Sequence, residues 1–545
     1  MTLNLDLIKE RLGSHTAREF FRYARRRYLA SCKFKGPCQE DETLETLLRQ
    51  VGEELGEKPE NLWASQKFQL VFRVTSPEHL KILGINGDSQ KDAEEAIRGG
   101  RVMSLLPYNV IVGDEHLIRK YLPSKPEKFS GDWRHSIDPY GIFREMDRVE
   151  AFNSKGKRTY LATRKFPYAV LANFTEACHI GCDGCYKGSM VRTTLSALSD
   201  IYPEYAEIKR QLTTQEKRAV KQARLLTKWL NKNPEVDTIV ISGGEPTLFS
   251  NSSLEGIISQ FRKAENVKVV RICTSSVFQG MWYRIDEDFI RMLSDFKRET
   301  GKQFYINAHV TDESQLSAPE AKMAVDKLQN AGISIHLQMP IQEGINFKRD
   351  DLGWTVQKLK RISKAAYSLG VIPYKAIVDM HSPSHPDLTV PIETVVKVIR
   401  CLDEHLENSD MERWQAYNVL HEQGNLYLYP APHFTAVKEV DKENGRVVYF
   451  IPKRDAVHTY EEPLISGHND NPDSLSPIAD SETRERIESV RKLYHSLKGR
   501  IRELEAGNLT LQQKAKEIER FEREFYQKSG IFYPKNAPLK NEPKK

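Results

Sequence analysis

The sequence predicts an α/β protein built around a partial (β/α)6 barrel. A helical region precedes the barrel, and an extension ending in a helical hairpin follows it. Two observations carry this expectation. From Tyr168 onward, short apolar runs alternate with longer amphipathic stretches, the pattern of βαβ units. The residues with distinctive chemistry fall at the ends of those runs, where α/β barrels carry their sites.

Residues 1–160 read as a mostly helical, charged region, with helices over Leu3–Leu29, Asp41–Leu55 and Ser89–Ile97. The apolar runs Phe68–Val74 and Val110–Val112 are short enough to be strands, and Lys125–Pro139 is rich in turn formers. Residues 165–395 form the predicted core. Its strands are Tyr168–Asn173, Thr238–Ser242, Lys268–Cys273, Phe304–His309, Ser334–Pro340 and Val371–Val378. Helices near 214–231, 252–264, 286–298, 318–330 and 351–368 connect them, and right-handed crossovers make the strands parallel. Residues 396–465 read as an α then β extension, and 466–482 as a linker by composition.

Over 483–530, Ile487, Val490, Tyr494, Leu497, Ile501 and Leu504 follow a three–four spacing, a heptad seam. Gly507 interrupts it, and Leu511, Ile518, Phe521 and Phe525 continue on a second helix. So short a seam favours packing within the chain, with a homo-oligomer through this hairpin as the alternative. Residues 531–545 read as a polar tail.

The 545 residues are 39% hydrophobic and 29% charged, enough apolar material for a large core. The net charge of +6, from 81 basic and 75 acidic residues, is too mild to point to a nucleic-acid partner. No run approaches the roughly 18 apolar residues of a membrane helix, and Met1–Arg11 lacks a signal-peptide core. A cytoplasmic location away from membranes is therefore expected.

Three of the seven cysteines, Cys178, Cys182 and Cys185, lie within eight residues after the first core strand. Three thiolates at these spacings can hold three irons of a 4Fe-4S cube, where electron-transfer clusters use four. The open iron can chelate the amino and carboxylate groups of S-adenosylmethionine (SAM). Zinc bound by these cysteines and His179 is the competing reading, but zinc sites favour paired C-x2-C units and no second pair follows. The next strand ends in Ser242-Gly243-Gly244-Glu245-Pro246, where two glycines allow close backbone approach and a carboxylate can accept from an ammonium.

This combination resembles the radical SAM superfamily over about residues 165–390. The resemblance implies a 4Fe-4S cluster on the three cysteines and SAM held by Ser242, Gly243, Gly244 and Glu245. The superfamily often has a large residue before the third cysteine. Here Gly184 stands there and Tyr186 follows the cysteine, so Tyr186 is the candidate beside the adenine.

Arg271-Ile-Cys-Thr-Ser-Ser-Val277, Asn307-Ala-His309, Gln338-Met-Pro-Ile-Gln-Glu-Gly-Ile-Asn346 and Pro373-Tyr374 are similar to stretches of the lysine 2,3-aminomutase family. That resemblance implies Arg271, Thr274, Ser275 and Gln338 at the cofactor and His309 near the chemistry. Asp379 is placed opposite the family's substrate-holding carboxylate. His381 and His385, just past the sixth strand, join it as candidate catalytic residues.

Family members use pyridoxal phosphate (PLP), with an arginine run after the third cysteine and a glycine loop carrying a lysine. Here Lys187 and Arg192 are the cations after Cys185, prolines stand at Pro430 and Pro432, and Lys438 is the nearest lysine, read as exposed. PLP is kept as an alternative, and the expectation is a chain that does without it.

The expected activity is reductive SAM cleavage to a 5′-deoxyadenosyl radical that abstracts hydrogen from an amino acid or similar small substrate. The electron donor would be a flavodoxin or ferredoxin. The rivals are a PLP-dependent 2,3-aminomutase, a peptide-modifying radical SAM enzyme and a non-enzymatic iron–sulfur electron carrier.

Overall fold

A computed structural model describes residues 5–31, most of 43–122, most of 147–182, all of 216–379, most of 386–531, and 539–540. Its centre is one sheet of eleven strands in the order β10-β9-β8-β7-β6-β5-β4-β3-β2-β1-β14. The strands β3 (Ala169–Asn173), β4 (Thr238–Ser242), β5 (Val269–Thr274), β6 (Gln303–His309), β7 (Ser334–Ile341) and β8 (Ile372–Asp379) match the predicted runs within two residues. All five pairings among them are parallel.

The helices between these strands are Glu216–Leu230, Asn251–Phe261, Glu287–Thr300, Pro319–Asn330 and Leu352–Ser368. Their starts are set by capping side chains, which satisfy backbone donors that no helical carbonyl reaches. Ser250 accepts from the Ser253 N–H, Asp286 from Phe289 and Asp351 from Trp354. Their apolar faces bury residues such as Leu226, Ile257, Phe296 and Leu359 in one continuous core.

Several expectations are corrected. Val110–Val112 lies in the helix Pro107–Val112, with Pro107 at its first turn, and not in a strand. Of Phe68–Val74, Phe68 and Gln69 are helical, and Val74 forms an isolated bridge to Leu105. The helix read over Leu3–Leu29 is two, Leu5–Leu12 and Ser14–Ser31, separated at Gly13 with φ of 75°. The helical N-terminal region also ends sooner than 160. β1 (Arg148–Phe152) and β2 (Arg158–Phe166) extend the central sheet in antiparallel fashion, and β14 (Leu539–Lys540) pairs with β1.

In the extension, the helix Ile392–His405 leads into β9 (Ala416–His421) and β10 (Gly424–Leu428), which complete the other edge of the sheet. A second sheet of β11 (Val437–Asp441), β12 (Arg446–Lys453) and β13 (Ala456–Pro463) is antiparallel. The C-terminal helices Ser481–Ala506 and Leu511–Ser529 pack on it. The seam residues Ile487, Val490, Tyr494, Leu497 and Ile501 are buried with Ile518, Phe521, Val448, Phe450 and Val457 of the same chain.

The N-terminal region sits against the core through large side chains. Trp63 donates from Nε1 to Glu320 Oε1 at 3.0 Å, and Trp63, Tyr108 and Trp282 form a cluster of three rings, Trp282 lying 6.1 Å from Trp63 and 4.9 Å from Tyr108, which are 5.8 Å apart. No helix among the described residues is long and apolar enough to cross a membrane.

Candidate active site

The segment after β3 carries Cys178 and Cys182, both half-buried. It is tied to the turn after β4 by a short ladder of backbone bonds. Phe174 N–H donates to Ser242 O at 3.0 Å, Gly244 N–H to Thr175 O at 2.6 Å, and Glu245 N–H to Ala177 O at 2.7 Å. Gly243 has φ of 133°, and a Cβ there would lie 2.2 Å from the Thr175 carbonyl oxygen. Only glycine fits both the conformation and the space. The two motifs read separately from the sequence are thus one hydrogen-bonded unit.

Glu245 is buried, and its carboxylate is fully engaged. Oε1 accepts from Thr247 N–H at 3.2 Å and Thr247 Oγ1 at 2.7 Å. Oε2 accepts from Ser275 N–H at 2.8 Å and Ser275 Oγ at 2.7 Å. The side chain therefore joins the end of β4 to the end of β5. Thr274 Oγ1 accepts from Ser276 N–H at 3.0 Å, and Ser276 Oγ lies 2.6 Å from Thr247 Oγ1. Arg284 straps the same turn, donating to Thr247 O at 2.9 Å and Phe249 O at 2.6 Å. The sequence reading missed Arg284, for its two shorter contacts are to backbone carbonyls and leave no motif.

Strand register places further predicted residues on one face. Arg271 pairs with Tyr305, Cys273 with Asn307, Asn307 with His336, and His309 with Gln338. Because side chains alternate across a strand, these residues line a common surface, half-buried except for the buried Asn307. His309 and Gln338 come together near the strand ends. Arg271 sits lower, in mid-strand, where its Nη1 donates to Tyr374 OH at 3.1 Å and its guanidinium lies 5.7 Å from the Tyr374 ring.

His336 stacks on Tyr305 at 4.5 Å and faces Tyr374 at 5.2 Å. Burial and the Arg271 cation push its pKa down to about 4, so the ring is neutral at pH 7. Tyr305, His336 and Lys375 were not predicted. For Tyr305 and His336 the signal is positional, since they, Arg271 and Tyr374 are each the third residue of a strand, while Lys375 follows Tyr374.

The N-terminal region reaches this end of the sheet. Lys120 and Tyr121 are buried, and Lys120 Nζ donates to Thr311 Oγ1 at 3.1 Å while Tyr121 OH donates to Gln279 Oε1 at 3.1 Å. Gln279 in turn donates to His309 O at 2.9 Å. Burial holds the Tyr121 phenol well above its ordinary pKa, with Cys182, Asp312 and Cys178 adding to the rise.

Cys185, Tyr186, His381 and His385 lie outside the described residues, as do His179, Lys187, Arg192, Pro430 and Pro432. Asp379 is the last residue of β8 and pairs with Leu420, and its side chain also lies outside the described residues.

Lys438, read from sequence as exposed, is not. Its side chain is 1% exposed and pairs with Glu393 Oε1 at 2.5 Å. It also donates to Asn471 O at 2.8 Å and Ser474 Oγ at 3.0 Å. Tyr449 OH links Glu393 and Glu462 at 2.8 and 2.9 Å.

No family model matches the chain. It is similar to a provisionally named L-lysine 2,3-aminomutase of Aquifex aeolicus, at 23% identity over 52% of this chain and 67% of that protein. It is 24% identical to a glutamate 2,3-aminomutase of Clostridioides difficile over 56% of this chain and 64% of the relative. An uncharacterised KamA family protein of Methanocaldococcus jannaschii is 21% identical over 82% of this chain and 67% of its own length. The solved structure of native anSMEcpe with bound AdoMet aligns over 66% of this chain and 96% of its own, at 12% identity. Its TM-score of 0.32 is too low to carry an argument.

Proposed function

We propose that this chain, a distant relative of the lysine 2,3-aminomutases, is a radical SAM enzyme acting on an amino acid or similar small substrate. The observation that carries the reading is the ladder joining the cysteine segment to the Gly243–Glu245 turn. It supports one pocket that holds both a cluster and its SAM.

The donor set fits the group. Cys178 and Cys182 are adjacent to backbone that glycine alone can form, and Cys185 follows in the sequence as the third thiolate. When bound and reduced, a 4Fe-4S cluster with SAM on its open iron supplies a 5′-deoxyadenosyl radical able to take hydrogen from unactivated carbon.

The chain's own residues position and enclose. The Gly243–Glu245 backbone would hold the methionine end of SAM, and Glu245 holds the Ser275 loop that would meet the ribose. His309 and Gln338 face the same space from β6 and β7. Lys120 and Tyr121 close it from the N-terminal side and exclude water. Arg271 of β5 reaches the Tyr374 hydroxyl of β8, three strands away in sheet order, at 3.1 Å. That proximity supports a sheet curled into a partial barrel, with the polar face inside.

Lys438 does not suit a PLP aldimine, because its ammonium is held in a buried ion pair. The chain is accordingly read as working without PLP at that lysine. A flavodoxin or ferredoxin would deliver the electron.

The test is anaerobic reconstitution with iron and sulfide, followed by dithionite and SAM. Wild type should form 5′-deoxyadenosine, and Cys178→Ala, Cys182→Ala and Cys185→Ala should not, while Cys401→Ala should. Equal product from Cys178→Ala would sink the reading. Borohydride trapping of PLP on Lys438 would restore the PLP-dependent alternative.

A further inference from the structure

We propose that Arg271 and Lys375 form an oxyanion subsite on the polar face of the sheet that takes the substrate's carboxylate. This rests on the radical SAM reading, because it places the substrate on the face that carries His309 and Gln338.

Two cations converge there without an acid. Tyr374 stands between them, its hydroxyl accepting from Arg271 Nη1 at 3.1 Å and its ring 5.1 Å from Lys375 Nζ. Among the described residues, neither Arg271 nor Lys375 is paired with a carboxylate, and Arg271 Nε is buried without a hydrogen-bond partner. The other groups facing them are Tyr305 on β6, the neutral His336 on β7, and Tyr168 before β3. Asp237, which neighbours Tyr168, is already engaged by Thr238 Oγ1 at 2.9 Å and by Lys268 at 3.9 Å.

Two half-buried like charges held around one phenol are unfavourable unless an anion joins them. The cost shows at Lys375, where burial and the Arg271 cation push the pKa down. A carboxylate between the two would relieve both and give Arg271 Nε its acceptor.

One row nearer the strand ends, Asn307 is 4% exposed and its Oδ1 has no partner. That oxygen can accept from a ligand amino group. Cations below and an acceptor above match the two ends of an α-amino acid. Arg271 lies four residues before Ser275, roughly 13 Å along the strand. That distance would leave room for a small substrate beneath SAM.

The test needs no turnover. Reconstituted protein, unreduced and at ionic strength fixed with chloride, is titrated with sodium malonate and separately with sodium phosphate while its melting temperature is followed. A ligand that binds the folded state raises the midpoint in proportion to its saturation. Malonate should stabilise wild type, and the concentration needed should rise at least tenfold in Lys375→Met and in Arg271→Met. Lys268→Met, a change at a surface lysine, should behave as wild type.

If Arg271→Met does not fold, Lys375→Met decides alone. Absence of a malonate response in wild type, or the same response in wild type and Lys375→Met, overturns the subsite. A response to phosphate alone overturns the carboxylate assignment. 5′-deoxyadenosine formation is measured separately, so failure of the radical SAM reading is seen independently of the anion response.

Discussion

Glu245 donates its backbone N–H to the Ala177 carbonyl at 2.7 Å while its carboxylate accepts from Ser275, so one residue ties the cysteine segment to the end of β5. Glu245→Ala keeps the backbone bond and removes four side-chain contacts. Iron content should hold, and SAM affinity should fall because the Ser275 loop loses its anchor, each lost bond to the carboxylate being worth roughly 1.5–3 kcal/mol to the loop's placement. SAM titration of the reconstituted variant checks this. Unchanged affinity would remove Glu245 from the site.

Gly243→Ala should be worse than its size implies. The new methyl would stand 2.2 Å from the Thr175 carbonyl, at a φ that alanine rarely adopts. The cysteine segment must move, and the cluster should assemble at well below wild-type occupancy. Iron analysis and visible absorbance after reconstitution measure the loss. Full occupancy would show that the segment tolerates displacement.

Lys438→Ala leaves Glu393 buried beside Tyr449 and Ser474 without its cation. Breaking a buried pair from one side costs about 3–5 kcal/mol. Denaturant unfolding should show a loss of that order. Lys438→Met with Glu393→Gln should recover part of it. An unchanged midpoint for Lys438→Ala would mean the pair contributes nothing net.

The reading of Lys438 as a surface lysine shows where sequence runs out. A lysine beside prolines carries no sign of the carboxylate that meets it from 45 residues upstream. The six parallel strands were legible because each is an apolar run bounded by turn formers. β1 and β2 were not, since Arg148, Glu150, Arg158, Thr159 and Arg164 interrupt any apolar pattern. Val110–Val112 failed for another reason. Three consecutive apolar residues look alike in a strand and a helix, and the signal that decided was Pro107. At the site, the cysteine and glycine motifs are local in sequence and readable. The Arg271–Tyr305–His336–Tyr374 group is assembled from four strands and becomes visible with register.

Glu462 gives a pH dependence. Burial raises its folded pKa from 4.5 to about 7, against hydrogen bonds from Asn469, Ile392 N–H and Tyr449 that lower it. A raised pKa favours the protonated folded form. Its contribution is therefore complete below pH 4.5 and lost as pH climbs through 7. Stability should decline across that window by at most about 1.4 kcal/mol per pH unit. Melting temperatures of wild type and Glu462→Gln from pH 5 to 8 test this. The variant's profile should be flatter, and parallel profiles would exclude Glu462 as the source.

Removing residues 480–545 uncovers Val448, Phe450 and Val457 on the second sheet and takes away the β14 pairing with β1. The truncated protein should still bind iron, because no cysteine lies in that segment. It should aggregate through the exposed apolar face. Light scattering and iron content separate the two effects, and loss of iron from soluble protein would place the helices in the core fold.

Trp282 packs against both Trp63 and Tyr108 of the N-terminal region, and Arg284 two residues later holds the Gly243–Glu245 turn by its neighbouring carbonyls. With the other four tryptophans changed to Phe, Trp63 and Trp282 would form an optical gauge at the seam between the N-terminal region and the central sheet. Indole emission depends on how dry and crowded the ring is. A shift toward the red would report the two halves parting, before any product is assayed and without an added dye. Following that colour during SAM addition would reveal whether the cofactor draws the halves together.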